Sequence, residues 1–130
     1  MKARKAIIIG CGVAGPAVAL FLKRAGVEAV VYEAAEPGEA ESGLFLNVAR
    51  NGMRVLGELG IDEPVRNCGI AMVSMRMTNG KGKLLGAMGA PDGEPEGYTV
   101  KRHELHRVLR EEALRQGIRI EFGKRLESLR

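Results

Sequence analysis

A short apolar run, Lys5-Ala6-Ile7-Ile8-Ile9, ends abruptly in Gly10-Cys11-Gly12-Val13-Ala14-Gly15, and few folds can follow such a junction. The run does not alternate, so it reads as a strand buried on both faces of a parallel sheet. From Val13 to Ala25 the apolar residues Ala14, Ala17, Val18, Phe21 and Leu22 recur at helical spacing. Pro16 lies in the first turn of that helix, where its missing N–H costs nothing, and Gly26 supplies the stop. Glu28 to Tyr32 is a second strand, closed by Glu33 eighteen residues after Gly15. Strand, helix and strand with short connections make one βαβ unit of right-handed crossover.

The hexamer is G-x-G-x-x-G, and its context gives each position a physical task. Gly10 turns the chain sharply off the strand. Gly12 lacks a Cβ, so a phosphate can approach the backbone there. Gly15 lets the helix press against the sheet. The helix N-terminus, through the backbone of Val13 and Ala14, offers N–H groups and a partial positive charge to a diphosphate. Glu33 can accept hydrogen bonds from ribose hydroxyls, and its charge disfavours a 2′-phosphate. The candidate cofactor-binding residues at this end are Gly10, Gly12, Val13, Ala14, Gly15, Glu33 and Ala34. The competing reading is a βαβ unit whose glycines serve packing alone. These residues do not decide between NAD and FAD.

Further along, Glu36 to Ser42 reads as loop and Val48 to Leu59 as an amphipathic helix stopped by Gly60. Ile70 to Thr78 alternates, and Lys83 to Met88 follows Asn79-Gly80, so the pair reads as a β-hairpin. Gly89 to Gly97 reads as loop, His103 to Arg115 as a helix stopped by Gly117, and Ile118 to Phe122 as a strand. The fold class expected is α/β, with a parallel sheet and an inserted hairpin.

Composition removes several function classes. The chain is 45% hydrophobic and 28% charged, which suits a folded core and not a disordered tail. Net charge is +4, but Lys and Arg are interleaved with Asp and Glu, so no nucleic-acid partner is expected. Cys11 and Cys68 are the only cysteines and lack metal-ligand spacing. His103 and His106 share a helix face without the acids or thiols that would complete a metal site, so no metal is expected. A thiol at a helix start can be activated, yet any small residue satisfies the place of Cys11. Met72, Met75 and Met77 fit hairpin packing better than a ligand surface. Lys2, Arg4 and Lys5 before an uncharged stretch imitate a signal peptide. The apolar run before Cys11 is too short for one, and glycines and a proline interrupt the rest, so a cytoplasmic protein without a membrane span is expected.

The stretches "GCGVAGPAVALFLKRAGVEAVVYEA", "SGLFLNVARNGMRVLGELGID" and "YTVKRHELHRVLREEALRQGIRIEFG", in that order, resemble the N-terminal third of the single-component FAD-dependent monooxygenases of aromatic-hydroxylase type. The resemblance implies a Rossmann-like FAD-binding domain over residues 1–130, with the substrate-layer insertion starting at 68–98. It implies FAD as cofactor, NAD(P)H as transient reductant, dioxygen, and a small organic substrate. It implies that Gly10–Gly15 hold the diphosphate and that Glu33 binds the adenosine ribose. It places Ser42 to Asn47 near the flavin, and adds Arg102, at the start of the later helix, as a further FAD contact. No catalytic acid or base is named by it.

Two departures matter. Many members carry Arg or Lys right after the strand-end acid, where this chain has Ala34. Such enzymes are also about three times longer, and their second FAD motif, a Gly-Asp, has no counterpart here. The expectation is an N-terminal fragment or truncated product, inactive alone, whose sheet is completed by later chain, a partner chain or a second copy. The rival readings are an NAD-binding reductase module and a non-catalytic nucleotide-binding subunit.

Overall fold

In the computed structural model, which describes residues 4–38, 43–89 and 93–129, glycines and short polar turns cut the chain into twelve elements. They run β1 (Lys5–Ile9), α1 (Ala14–Arg24), β2 (Glu28–Tyr32), β3 (Phe45–Ala49), α2 (Arg50–Glu58), α3 (Asp62–Asn67), β4 (Gly69–Met72), β5 (Ser74–Thr78), β6 (Leu84–Gly89), β7 (Gly97–Lys101), α4 (Arg102–Arg115) and β8 (Arg119–Glu121). They fall into two units, Met1–Leu44 with Arg102–Arg130, and Phe45–Lys101.

The first unit is the expected βαβ, extended. β1 pairs parallel with β2 from Lys5↔Glu28 to Ile9↔Tyr32, and β2 pairs parallel with β8 from Val30↔Arg119 to Tyr32↔Glu121, so the order is β1-β2-β8. Helices α1 and α4 pack on each other and on the sheet. Ala19 and Ala113 carry only a methyl, which permits close approach, while Leu20, Val31 and Leu109 are fully buried. Each of these larger side chains contributes about 1.5–3 kcal/mol by leaving water. Positive φ at Gly26 (73°) and Gly117 (79°) ends each helix, a conformation only glycine adopts freely.

One expectation is corrected here. β1 is not buried on both faces: Ile7 is 72% exposed and Ile9 51%, while the Ile8 side chain is turned toward Gly15 of α1. Both helices of the unit cover one face of the sheet. Among the described residues the other face of β1 has no cover, and its outer edge no partner.

In the second unit β7 lies between β3 and β4 in an antiparallel sheet, from Phe45↔Lys101 to Ala49↔Gly97 and from Gly69↔Val100 to Met72↔Gly97. Val48 and Val100 face a core with Met53, Leu56 and Val65. β5 and β6 form a separate hairpin with a register shift at Met77/Thr78. Its turn is longer than the Asn79-Gly80 pair suggests. The Asn79 side-chain oxygen accepts from the N–H groups of Lys81 (3.0 Å) and Lys83 (2.9 Å), and Gly82 takes φ 79°.

Several boundaries differ from the sequence reading. The helix expected from Val48 begins at Arg50, because Val48 is needed on the buried face of β3. The strand expected over Ile70 to Thr78 is two, split at Val73, since β4 and β5 serve different ladders. The loop expected over Gly89 to Gly97 gives its ends to β6 and β7, and its residues 90–92 lie outside the described ones. The loop expected over Glu36 to Ser42 is described to Gly38, with residues 39–42 outside. Among the described residues no helix is long and apolar enough to cross a membrane.

Candidate dinucleotide site

The first unit places the glycine pattern at the C-terminal ends of its strands, and the three glycines turn out to be glycine for three different reasons. Gly10 has φ 99°, with its N–H donated to Tyr32 O at 2.7 Å, so the backbone itself demands it. Gly15 is required by packing: a Cβ there would overlap the carbonyl oxygen of Gly10. Gly12 is required by neither. Its φ lies outside the left-handed region, and a Cβ would meet nothing within 4 Å. The bare position leaves the backbone open to close approach from outside.

Val13 and Ala14 open α1. The helix has no side-chain cap at Val13 and no acid in its first turn, so no carboxylate of its own occupies the positive end. Glu33 does come to the loop. Its Oε2 accepts from the Cys11 N–H at 2.6 Å, and its Oε1 from the Ala35 N–H at 2.9 Å. These bonds, Ala35 first and Cys11 second, hold the carboxyl below the ordinary glutamate range, with smaller help from the Ala34 N–H and Arg125. Ala34 thus acts through its backbone, and Arg125 adds positive charge near the acid. A carboxylate offers about four lone-pair sites. The Cys11, Ala35 and Ala34 N–H groups take up part of that capacity, and the rest can accept from a ribose hydroxyl.

Arg102 opens α4. Its N–H donates to Leu44 O at 3.1 Å, and its stem lies over Gly43, where an added Cβ would stand 3.3 Å from the Arg102 Cβ. Its Nε donates to His106 Nε2 at 3.4 Å. Among the described residues no carboxylate pairs with the guanidinium, unlike Arg107, which is clamped by Glu104 (2.7 Å) and Glu111 (2.9 Å). His106, Arg110, Cys11 and Glu33 line a small cleft together with Phe122. Burial pushes the Cys11 thiol up, with Arg110 opposing and Glu33 adding. A reactive thiolate at this position is therefore not what the fold provides.

Sequence reasoning held Gly43 only within the Ser42 to Asn47 segment and weighed His106 only as a metal ligand, so it missed the contact each makes with Arg102. The Arg102–His106 spacing of four was the available signal for the second. His103 leans on Glu104 at 3.5 Å instead. A larger cavity of about 470 Å³ lies in the second unit, beside Arg50, Arg66 and Tyr98. Its charges answer one another, with Arg66 bound to Asp62 at 3.1 Å and lying over the Tyr98 ring. None of the candidate cofactor-binding residues borders it.

The residues present therefore fit a dinucleotide diphosphate: bare backbone at Gly12, an uncapped helix start, an ionised acid beside it and an arginine with no carboxylate partner among the described residues. The family model for the FAD binding domain matches residues 3–130. The chain belongs to that family. It is 34% identical over 110 residues to a 3-amino-4-hydroxybenzoate 2-monooxygenase of Streptomyces platensis, covering 80% of this chain and 28% of that protein. It is 29% identical over 146 residues to the kynurenine 3-monooxygenase of Salinispora tropica, covering 98% and 30%. The fold matches the tetrameric form of 2-methyl-3-hydroxypyridine-5-carboxylic acid oxygenase with TM-score 0.80 and 26% identity, over 95% of this chain and 32% of that one. The resemblance to FAD-dependent monooxygenases and the Rossmann-like α/β class read from the sequence both hold. The chain spans about a third of the length of the proteins it matches.

Proposed function

We propose that this chain is the FAD-binding portion of a flavin-dependent monooxygenase that uses NAD(P)H and dioxygen to hydroxylate a small organic substrate. The observation that carries this reading is Gly12, bare and facing open space, with the Glu33 carboxylate hydrogen-bonded into the same loop. When bound, FAD supplies the redox chemistry, and the protein supplies position and electrostatics. Gly10 to Gly15, with the N–H groups of Val13 and Ala14, receive the diphosphate. Glu33 takes the ribose with its remaining lone-pair capacity and repels a 2′-phosphate. Ala34 and Ala35 hold Glu33 ionised, and Arg102 neutralises the diphosphate from α4. A monooxygenation leaves one oxygen atom of O₂ in water, so a two-electron donor is required, and a nicotinamide cofactor fits that need.

Residues 1–130 form the FAD-binding domain in this reading, and 68–98 begin the layer facing substrate. The hairpin supports that assignment: Met75, Met77 and Met88 share one exposed face, as the Met75↔Met88 register shows. The outer edge of β1, unpartnered among the described residues, is where a further strand would extend the sheet. Two free thiols, Cys11 and Cys68, suit a reducing, cytoplasmic setting.

Titration of the purified chain with FAD, NADH and NADPH tests the reading. Saturable FAD binding, tighter than that of either nicotinamide, is expected, with yellow colour retained through gel filtration. Tighter binding of NADH would point to a reductase module. Binding of none would remove the cofactor assignment.

A further inference from the structure

We propose that His106 is a positioning residue for the cofactor grip: its neutral imidazole accepts the Arg102 Nε–H and so aims the two terminal nitrogens of Arg102 at the diphosphate. This rests on the proposed function, because it names what sets the one arginine assigned to the diphosphate from outside the glycine loop.

An arginine on a long flexible stem is a poor anion receptor until something fixes its plane, since each immobilised rotor costs entropy. Here three contacts fix it. The Arg102 backbone is tied to Leu44 O, its stem rests where Gly43 has no side chain, and its Nε is taken by His106. The imidazole is one turn along the same helix, where side chains four apart meet. An acceptor at Nε leaves the outer pair of N–H groups free to face a phosphate side by side.

The imidazole accepts at Nε2 only while that nitrogen is unprotonated. Its surroundings keep it so. On α4 it faces Arg102, His103 and Arg110; from the end of β2 comes Glu33, from the turn that follows Glu36, and from the glycine loop Cys11. Burial first, then Arg102 and Arg110, push His106 below the ordinary imidazole range, and Glu33 opposes them. Once protonated, His106 loses its acceptor and becomes a cation 3.4 Å from a guanidinium nitrogen. Arg102 is then released from its aim. Diphosphate diesters and the depressed Glu33 keep their charges over the same interval, so the change in grip belongs to this pair.

Two measurements on the purified chain test the proposal. In an NMR titration of the imidazoles without cofactor, Arg102→Met is expected to move the His106 midpoint upward, because a neighbouring positive charge is gone. An unmoved midpoint would overturn the contact. FAD titrations at pH 7.5 and pH 5.5 form the second arm. The unaltered chain should weaken by about three- to tenfold on acidification, the range for one lost hydrogen bond. His106→Gln, whose amide oxygen accepts and cannot be protonated, should bind as the unaltered chain does at pH 7.5 and ignore the pH change. His106→Leu should be weaker at both pH values, and His103→Gln should keep the unaltered profile. Equal binding by the Leu variant, equal weakness of Gln and Leu, or tighter binding on acidification would each overturn the proposal. Failure of the unaltered chain to bind FAD would remove the functional reading alone, because the imidazole titration still decides the Arg102–His106 contact.

Discussion

Replacing Gly12 and Gly15 by alanine, one at a time, separates binding from folding within a single hexamer. At Gly15 the added methyl would stand 3.1 Å from the carbonyl carbon of Gly10, and closer still to its oxygen. Both are backbone atoms of a turn fixed by φ 99°, so nothing flexible can move aside. Overpacking of this kind costs about 1–3 kcal/mol or more. At Gly12 the same methyl meets nothing within 4 Å, and the backbone conformation is one alanine adopts. The Gly12→Ala chain should therefore be as stable as its parent, or gain up to about 1 kcal/mol through the reduced entropy of its unfolded state. Its affinity for FAD should nonetheless collapse. Losing even one hydrogen bond to a charged phosphate, worth about 1.5–3 kcal/mol, weakens binding about ten- to a hundredfold. Urea unfolding gives the stabilities and fluorescence titration the affinities. A Gly12→Ala chain that binds FAD normally, or one that unfolds as readily as Gly15→Ala, would refute the assignment of Gly12 to an external phosphate.

Glu33 is stabilised as an anion in the folded chain, so its contribution is present above its unfolded pKa and is lost as the pH falls through the lower folded value. Stability should decline below about pH 4.5, and Glu33→Gln should flatten that decline; an unchanged acid limb in urea titrations would contradict it. Because burial raises the Cys11 thiol, iodoacetamide at pH 7 should label it more slowly than free glutathione, and Cys11→Ala should retain FAD binding. Faster labelling would reverse the electrostatic reading. Ile7→Lys with Ile9→Lys places charges on an exposed sheet face, so self-association of the chain should fall in sedimentation velocity. A parent chain that is already a monodisperse monomer would show that this face needs no cover.

The first βαβ unit was legible because every local signal in it agreed. Gly10 and Gly26 adopt the positive φ their positions suggested, Pro16 sits in the first turn, and Glu33 reaches the loop. The cofactor end was legible for the same reason, since backbone conformation and helix polarity are local properties. What was misread depended on distant partners. Val48 and Ala49 fit a helical apolar stripe as well as a strand, and the pairing with Tyr98 and Gly97 decides for the strand. Tyr98 to Val100 is too short a run to stand out before it is flanked by two ladders. The alternation from Ile70 to Thr78 says nothing of which neighbour each half takes. Ile7 looked like core because parallel strands usually are, and exposure is a property of what lies opposite.

The Cys11 N–H is already in the hands of Glu33 in the free chain. A loop tethered in that way has surrendered its freedom during folding, at about 1–2 kcal/mol per residue, and need not do so again when a nucleotide arrives. The guest meets a finished seat, and tightness comes as much from stillness as from contact.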